Sequence, residues 1–75
     1  SWQGIVSNGG KYYGLVYANA SEDKTFGRIG AIITSVDGVN WVWQDTKSEA
    51  EIVSLKVVNG SVLGMTRNGD ILIIK

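Results

Sequence analysis

The chain has 75 residues, which is enough for one small domain. It has no cysteine and no histidine, which excludes disulfides and a conventional zinc site, two devices that often stabilise small domains. Seven Lys and Arg balance seven Asp and Glu, and the chain has neither a basic stripe nor a membrane-length apolar run, so nucleic acid and membrane insertion are not expected.

In chain order, β-branched and aromatic runs alternate with Gly, Asn and Asp, a pattern that predicts an all-β chain. The predicted strands span residues 3–7, 11–18, 29–35, 40–45, 51–58, 61–66 and 70–75. Asn-Gly or Asp-Gly pairs at 8–9, 37–38, 59–60 and 68–69 separate consecutive strands. Both residues of such a pair tolerate positive φ, so tight type I′ turns are predicted. The expected fold is an antiparallel meander of about seven strands.

The chain also repeats itself. Residues 6–15 resemble residues 57–65, with one extra glycine in the first copy. Repeat 1 spans about 2–46 and repeat 2 about 51–75, within one small module that covers 1–75. The polar loop 19–28 lengthens the first copy. Residues 19–27 of this loop are the best candidate for a functional insertion, with passive surface as the equal alternative. Without this loop the period is about 40 residues, the size of a four-stranded propeller blade.

The strand count predicts roughly two propeller blades, four strands in the first repeat and three in the second. A small β-barrel or sandwich, which would use the same hairpins, is the alternative. A small chain has a marginal core, and isolated blades cannot cover both of their faces. We therefore expect a homo-oligomer that completes the ring. A trimer, with six blades, is favoured.

The heptapeptide SVDGVNW, which begins at Ser35, resembles the Asp-box of sialidases and other propeller proteins. The flanking order of Asn-Gly, aromatic, Gly and apolar residues over 5–45 is similar to repeats in bacterial and phage propellers. Gly38 follows Asp37 directly, whereas the usual box has one residue between them. The resemblance implies a local staple: Asp37 accepts N–H bonds across its turn, Gly38 supplies the unusual φ, and Trp41 packs over the blade. In the alternative, Asp37 helps to bind a cation or a sugar.

Aromatic side chains are the candidates for contact with a ligand or another chain, because they stack on sugars and dominate interfaces. The candidates are Trp2, Tyr12, Trp41 and Trp43. Trp41 and Trp43 are two residues apart, so a regular strand places them on one face. Blade-to-blade packing is the favoured role of that face, and a ligand platform is the alternative.

A sialidase site needs an arginine cluster, but the chain has only Arg28 and Arg67, so it resembles the scaffold and not the enzyme. No catalytic residue, cofactor or metal site is predicted. The favoured function is a non-catalytic propeller-type module that binds a carbohydrate or cell-surface ligand as a homo-oligomer, like lectins and phage adhesins. The alternatives are a structural assembly or virion-decoration module and a fragment of a larger Asp-box glycosidase. The compartment stays open, with an extracellular or virion surface favoured over the cytoplasm.

Overall fold

The computed structural model describes residues 1–15, 31–48 and 50–74. Within these ranges the chain is all-β, with seven strands and no helix, which confirms the predicted fold class. No helix capable of crossing a membrane is found in them. The candidate loop 19–28 lies outside the described residues, as do the predicted strand positions 16–18 and 29–30.

The strands form two antiparallel sheets in which each strand pairs with the next along the chain. Sheet 1 has the order β1-β2-β3-β4, and sheet 2 has the order β5-β6-β7. The strands are β1 Ile5–Asn8, β2 Lys11–Leu15, β3 Ala31–Ser35, β4 Val42–Asp45, β5 Ile52–Val58, β6 Ser61–Thr66 and β7 Ile71–Ile74.

Two of the hairpins have tight two-residue turns. One is where the sequence predicts it, and the other lies one residue later than the predicted Asn8-Gly9 pair, because Asn8 is the last residue of β1 and pairs with Lys11. Gly9-Gly10 joins β1 to β2, and Asn59-Gly60 joins β5 to β6. All four residues have positive φ, as a type I′ turn requires. Asn59 is one of the few non-glycine residue types that adopt this conformation at low cost.

The predicted tight turn at Asp37-Gly38 is wrong. Only Gly38 has positive φ there, and β3 and β4 are separated by the loop 36–41. The physical reason is that side chains close this loop by hydrogen-bonding its backbone, so no two-residue turn is needed. The tight turn predicted at Asn68-Gly69 is also wrong. In the loop 67–70, which joins β6 to β7, only Gly69 has positive φ.

The structure also aligns the two repeats differently from the sequence. Because the two tight turns occupy the same place in their hairpins, Gly14 of β2 corresponds to Gly64 of β6. The first copy therefore has no extra glycine in its turn. The preceding strands then align without a gap, so Ile5 corresponds to Leu55 and not, as the sequence resemblance suggests, Val6 to Val57.

The core lies between the two sheets. We call the face that each sheet turns towards the other its core face. Sheet 1 contributes Tyr13, Leu15 and Ile32, and sheet 2 contributes Ile52, Leu55, Val62 and Ile74. Ile32, Leu55 and Val62 are the most completely buried of these side chains. Each such side chain stabilises the fold by about 1.5–3 kcal/mol through its removal from water.

Hydrogen bonds join the two sheets along β1 and β5, a line that we call the seam. Gln3 N donates to Leu55 O at 2.8 Å, and Leu55 N donates to Gln3 O at 2.7 Å. At the turn end of the seam, Asn8 Nδ2 donates to Gly60 O at 2.9 Å. The seam therefore fixes how the two repeats are placed relative to each other.

Candidate functional site

A closed hydrogen-bond network around Ser35 and Asp37 holds the loop 36–41. Ser35 Oγ accepts the N–H of Asp37 at 3.2 Å and of Gly38 at 2.8 Å, and its hydroxyl donates to Asp37 Oδ1 at 2.9 Å. Asp37 Oδ1 also accepts the N–H groups of Val39 and Asn40, each at 2.8 Å. The hydrogen bonds expected of Asp37 across its own turn are therefore present.

These donors hold the pKa of Asp37 well below its usual range. The largest cause is the backbone N–H of Asn40, followed by that of Val39, and then by the Asn40 amide and the Ser35 hydroxyl. Each donor stabilises the charged form of the carboxyl group. The Asn40 amide reaches Asp37 Oδ2 at 2.9 Å, so the loop supplies partners to both carboxylate oxygens. This use of Asp37 favours a local structural role over the binding of a cation or sugar.

Two aromatic rings lie beside this loop. A Cβ placed on Gly38 would be 3.6 Å from Tyr12 Cε2, so the Tyr12 ring lies against the glycine. The centroids of the Tyr12 and Trp41 rings are 6.4 Å apart, with an interplanar angle of 48°. The Trp41 ring also reaches over β2, since a Cβ on Gly14 would be 3.8 Å from Trp41 Cζ3. The loop and the aromatic residues thus form one packed unit.

The strand register brings several of the predicted aromatic residues together on the outer side of sheet 1. We call this surface, which is opposite to the core face, the front face. It carries Ile5, Tyr12, Gly14, Ile33 and Trp43, with the Trp41 ring over Gly14. Ile5 is 52% exposed, Tyr12 41% and Trp43 37%. The front face is therefore a mostly apolar surface, with Ser7 and Asp45 on its edge strands, that the rest of the described chain leaves partly uncovered.

Trp2 is not part of the front face. It precedes β1, is half-buried, and lies against sheet 2, where Lys56 Nζ is 5.7 Å from the centroid of its ring. The four aromatic candidates from the sequence therefore divide into a group of three and a single residue at the seam.

An open cleft of about 490 Å³ lies between the seam and the front face. It is lined by Ser1, Gln3, Ile5, Val6, Ser7, Tyr12, Lys56 and Val57. Its size falls in the range of small-molecule sites in proteins. Sequence analysis found Tyr12 but missed Gln3 and Lys56. No local pattern marks these two residues, because the cleft forms where β1 meets the distant β5.

The described ranges contain no group of three or more acidic, His or Cys side chains that could hold a metal ion. Comparison with protein-family models, with curated proteins and with solved structures found no match for the chain. The resemblance to Asp-box propellers therefore remains a hypothesis from the sequence motifs.

Proposed function

We propose that the chain is a non-catalytic, propeller-type module that recognises a carbohydrate or other cell-surface ligand as a homo-oligomer. The observation that carries this proposal is the apolar, exposed outer surface of both sheets. The front face exposes Ile5, Tyr12 and Trp43, and the outer side of sheet 2 exposes Ile71 and Ile73. Contiguous apolar surface of this kind marks an interaction site.

Association of several copies of the chain would bury these exposed apolar surfaces. Two small sheets that share one core leave two apolar outer faces, and a neighbour on each face removes both from water. A trimer would place six sheets around one axis, which is consistent with the blade count. The non-catalytic part of the proposal comes from the sequence, whose two arginines do not provide a sialidase-like cluster.

The seam side of the cleft is the proposed place for the ligand. Gln3 and Lys56 line it at the seam, and neither lies on the front face. Lys56 lies on the outer side of sheet 2, but on β5, the edge strand at the seam, away from the exposed Ile71 and Ile73 of β7. The Gln3 amide both donates and accepts hydrogen bonds, and the Lys56 ammonium donates them. A saccharide, whose hydroxyl groups also do both, is complementary to this pair.

The oligomer is tested by light scattering on a sizing column over a wide range of protein concentration. We expect a discrete mass that is a multiple of the 8.1 kDa chain and that resists dilution. A folded monomer at all concentrations would contradict this part of the proposal.

The ligand is tested by a glycan array with the folded protein, followed by calorimetric titration of the sugars that bind. Gln3→Ala and Lys56→Met should each weaken binding about threefold to tenfold, because each removes about one net hydrogen bond. Val39→Ala is the matched control, since Val39 is exposed in the loop 36–41, away from the cleft lining. Binding no higher than background, or equal affinities for all four proteins, would contradict the proposal.

A further inference from the structure

The two sheets pack head to tail, through faces that are not equivalent. The core face of sheet 1 carries Tyr13 and Leu15 on β2 and Ile32 on β3. In the structural alignment of the repeats, their counterparts in sheet 2 are Leu63, Met65 and Ile71. These counterparts do not lie on the core face of sheet 2. They lie on its outer side.

We call this outer side of sheet 2 the back face. It carries Leu63 and Met65 on β6 and Ile71 and Ile73 on β7, and Lys56 and Val58 of β5 lie at its seam edge. Ile71 is 49% exposed and Ile73 is 66% exposed, while the two β6 side chains are half-buried. The back face thus repeats, in an exposed position, an apolar pattern that is buried in sheet 1.

The converse holds for the front face. Its residues Ile5 and Tyr12 correspond to Leu55 and Val62, two of the most completely buried residues on the core face of sheet 2. Gly14, also on the front face, corresponds to Gly64. The front face therefore repeats, in an exposed position, the pattern that sheet 2 presents to sheet 1.

These two equivalences identify the partner of each exposed face. Inside the chain, the core face of sheet 1 packs on the core face of sheet 2. The back face is the counterpart of the core face of sheet 1, and the front face is the counterpart of the core face of sheet 2. We infer that the chain binds a second copy of itself head to tail, with the front face of one copy on the back face of the next. The interface between copies then reproduces the interface between the two sheets.

This inference rests on the homo-oligomer of the proposed function but not on its saccharide. Each copy in such an assembly uses both faces, so the contact is heterologous and repeats until the ring closes. A heterologous contact has a property that a symmetric dimer lacks: blocking different faces on two chains leaves one intact interface between them.

The experiment uses one blocked face in each of two variants. Ile73→Glu blocks the back face, and Ile5→Glu blocks the front face. Both side chains are more than half exposed in the single chain, so folding is expected to survive, and circular dichroism checks this. Ile71→Glu is a second back-face variant. Val36→Glu is the matched control, because Val36 is 78% exposed in the loop 36–41 and lies on neither face.

We expect each face variant alone to fall to the single-chain mass of 8.1 kDa, and the control to keep the wild-type mass. An equal mixture of Ile73→Glu and Ile5→Glu should form a pair of twice that mass that does not grow further. If the wild-type protein is oligomeric but the variants keep its mass, or if the mixture stays monomeric, this interface is wrong and the homo-oligomer stands. If the wild-type protein is a monomer, both proposals fail.

Discussion

Asp37 is held by donors from its own loop, and this explains both its conformation and its charge. Four of the hydrogen bonds that it accepts come from Ser35, Val39 and Asn40, all within three residues. These bonds replace the cross-strand pairing that ends at Ser35 and resumes at Val42. The carboxylate is thus the centre of a local staple that connects β3 to β4.

The pKa of Asp37 leads to a pH-dependent prediction. A folded-state pKa below the unfolded value means that the ionised carboxylate stabilises the folded protein. This contribution is fully present above the ordinary aspartate pKa of about 4, and it is lost progressively as the pH falls below that value. We therefore expect Asp37→Asn to lower the free energy of unfolding at pH 7, and the difference from the wild type to narrow on acidification.

Urea denaturation at pH 7 and near pH 3 measures both effects. Asp70→Asn is the matched control, since Asp70 is exposed in the loop between β6 and β7 and should change stability little. Equal stability of Asp37→Asn and the wild type at pH 7, or a difference that is the same at both pH values, would rule out the staple.

At the scale of the strands, the two equivalent glycines of β2 and β6 lie in different surroundings. A Cβ on Gly64 would be 3.2 Å from both Ile52 Cγ2 and Ile74 Cδ1, two side chains that are fixed in the core. A Cβ on Gly14 would be 3.3 Å from Ile33 Cγ1, on the more open front face. The same backbone position therefore faces core side chains in one sheet and the Ile33 and Trp41 side chains of the front face in the other.

This difference predicts unequal costs for one substitution. Gly64→Ala should lower the free energy of unfolding by about 1–3 kcal/mol, because the core has no room for the added methyl group. Gly14→Ala is the matched variant and should be close to neutral, since Ile33 can move and the loss of chain entropy in the unfolded state compensates. Urea denaturation of both variants checks this, and equal losses would show that the front face is as tightly packed as the core.

At the scale of the whole molecule, the described part of the chain has one core and two apolar outer faces. The core face of each sheet is covered by the other sheet, while the front and back faces are left to solvent. In the proposed assembly each outer face is covered by a neighbour. Folding and association are then linked, because a partner that binds only the folded chain stabilises it by mass action.

The linkage predicts a melting temperature that depends on concentration. The wild-type Tm should rise as the protein concentration is raised, because the folded oligomer is favoured. Ile73→Glu should melt at a lower temperature, with a Tm that is independent of concentration, and Val36→Glu should behave like the wild type. Scanning calorimetry over a hundredfold range of concentration measures this. A wild-type Tm that does not change over this range would contradict a folding-linked assembly.

Local chemistry allowed much of the fold to be predicted. The alternation of apolar and turn residues placed all seven strands to within a few residues wherever the structure describes them, and β6 was predicted with its observed ends. The role of Asp37 was also predictable, because its partners lie within three residues. The turn types were harder to predict from the sequence. Asn59-Gly60 forms the expected tight turn, while Asp37-Gly38 belongs to a wider loop that side chains close.

The sequence by itself determined the all-β class, the absence of disulfides and the set of candidate aromatic residues, since these depend on composition and on neighbours along the chain. The tertiary structure alone decided which faces meet, how the repeats align and where the cleft forms. The physical reason is that these features depend on the register across strands and on contacts between β1 and β5. Ile5 and Leu55, for example, occupy equivalent positions in the two hairpins, yet only Leu55 faces the core, and the sequence pattern does not reveal this difference.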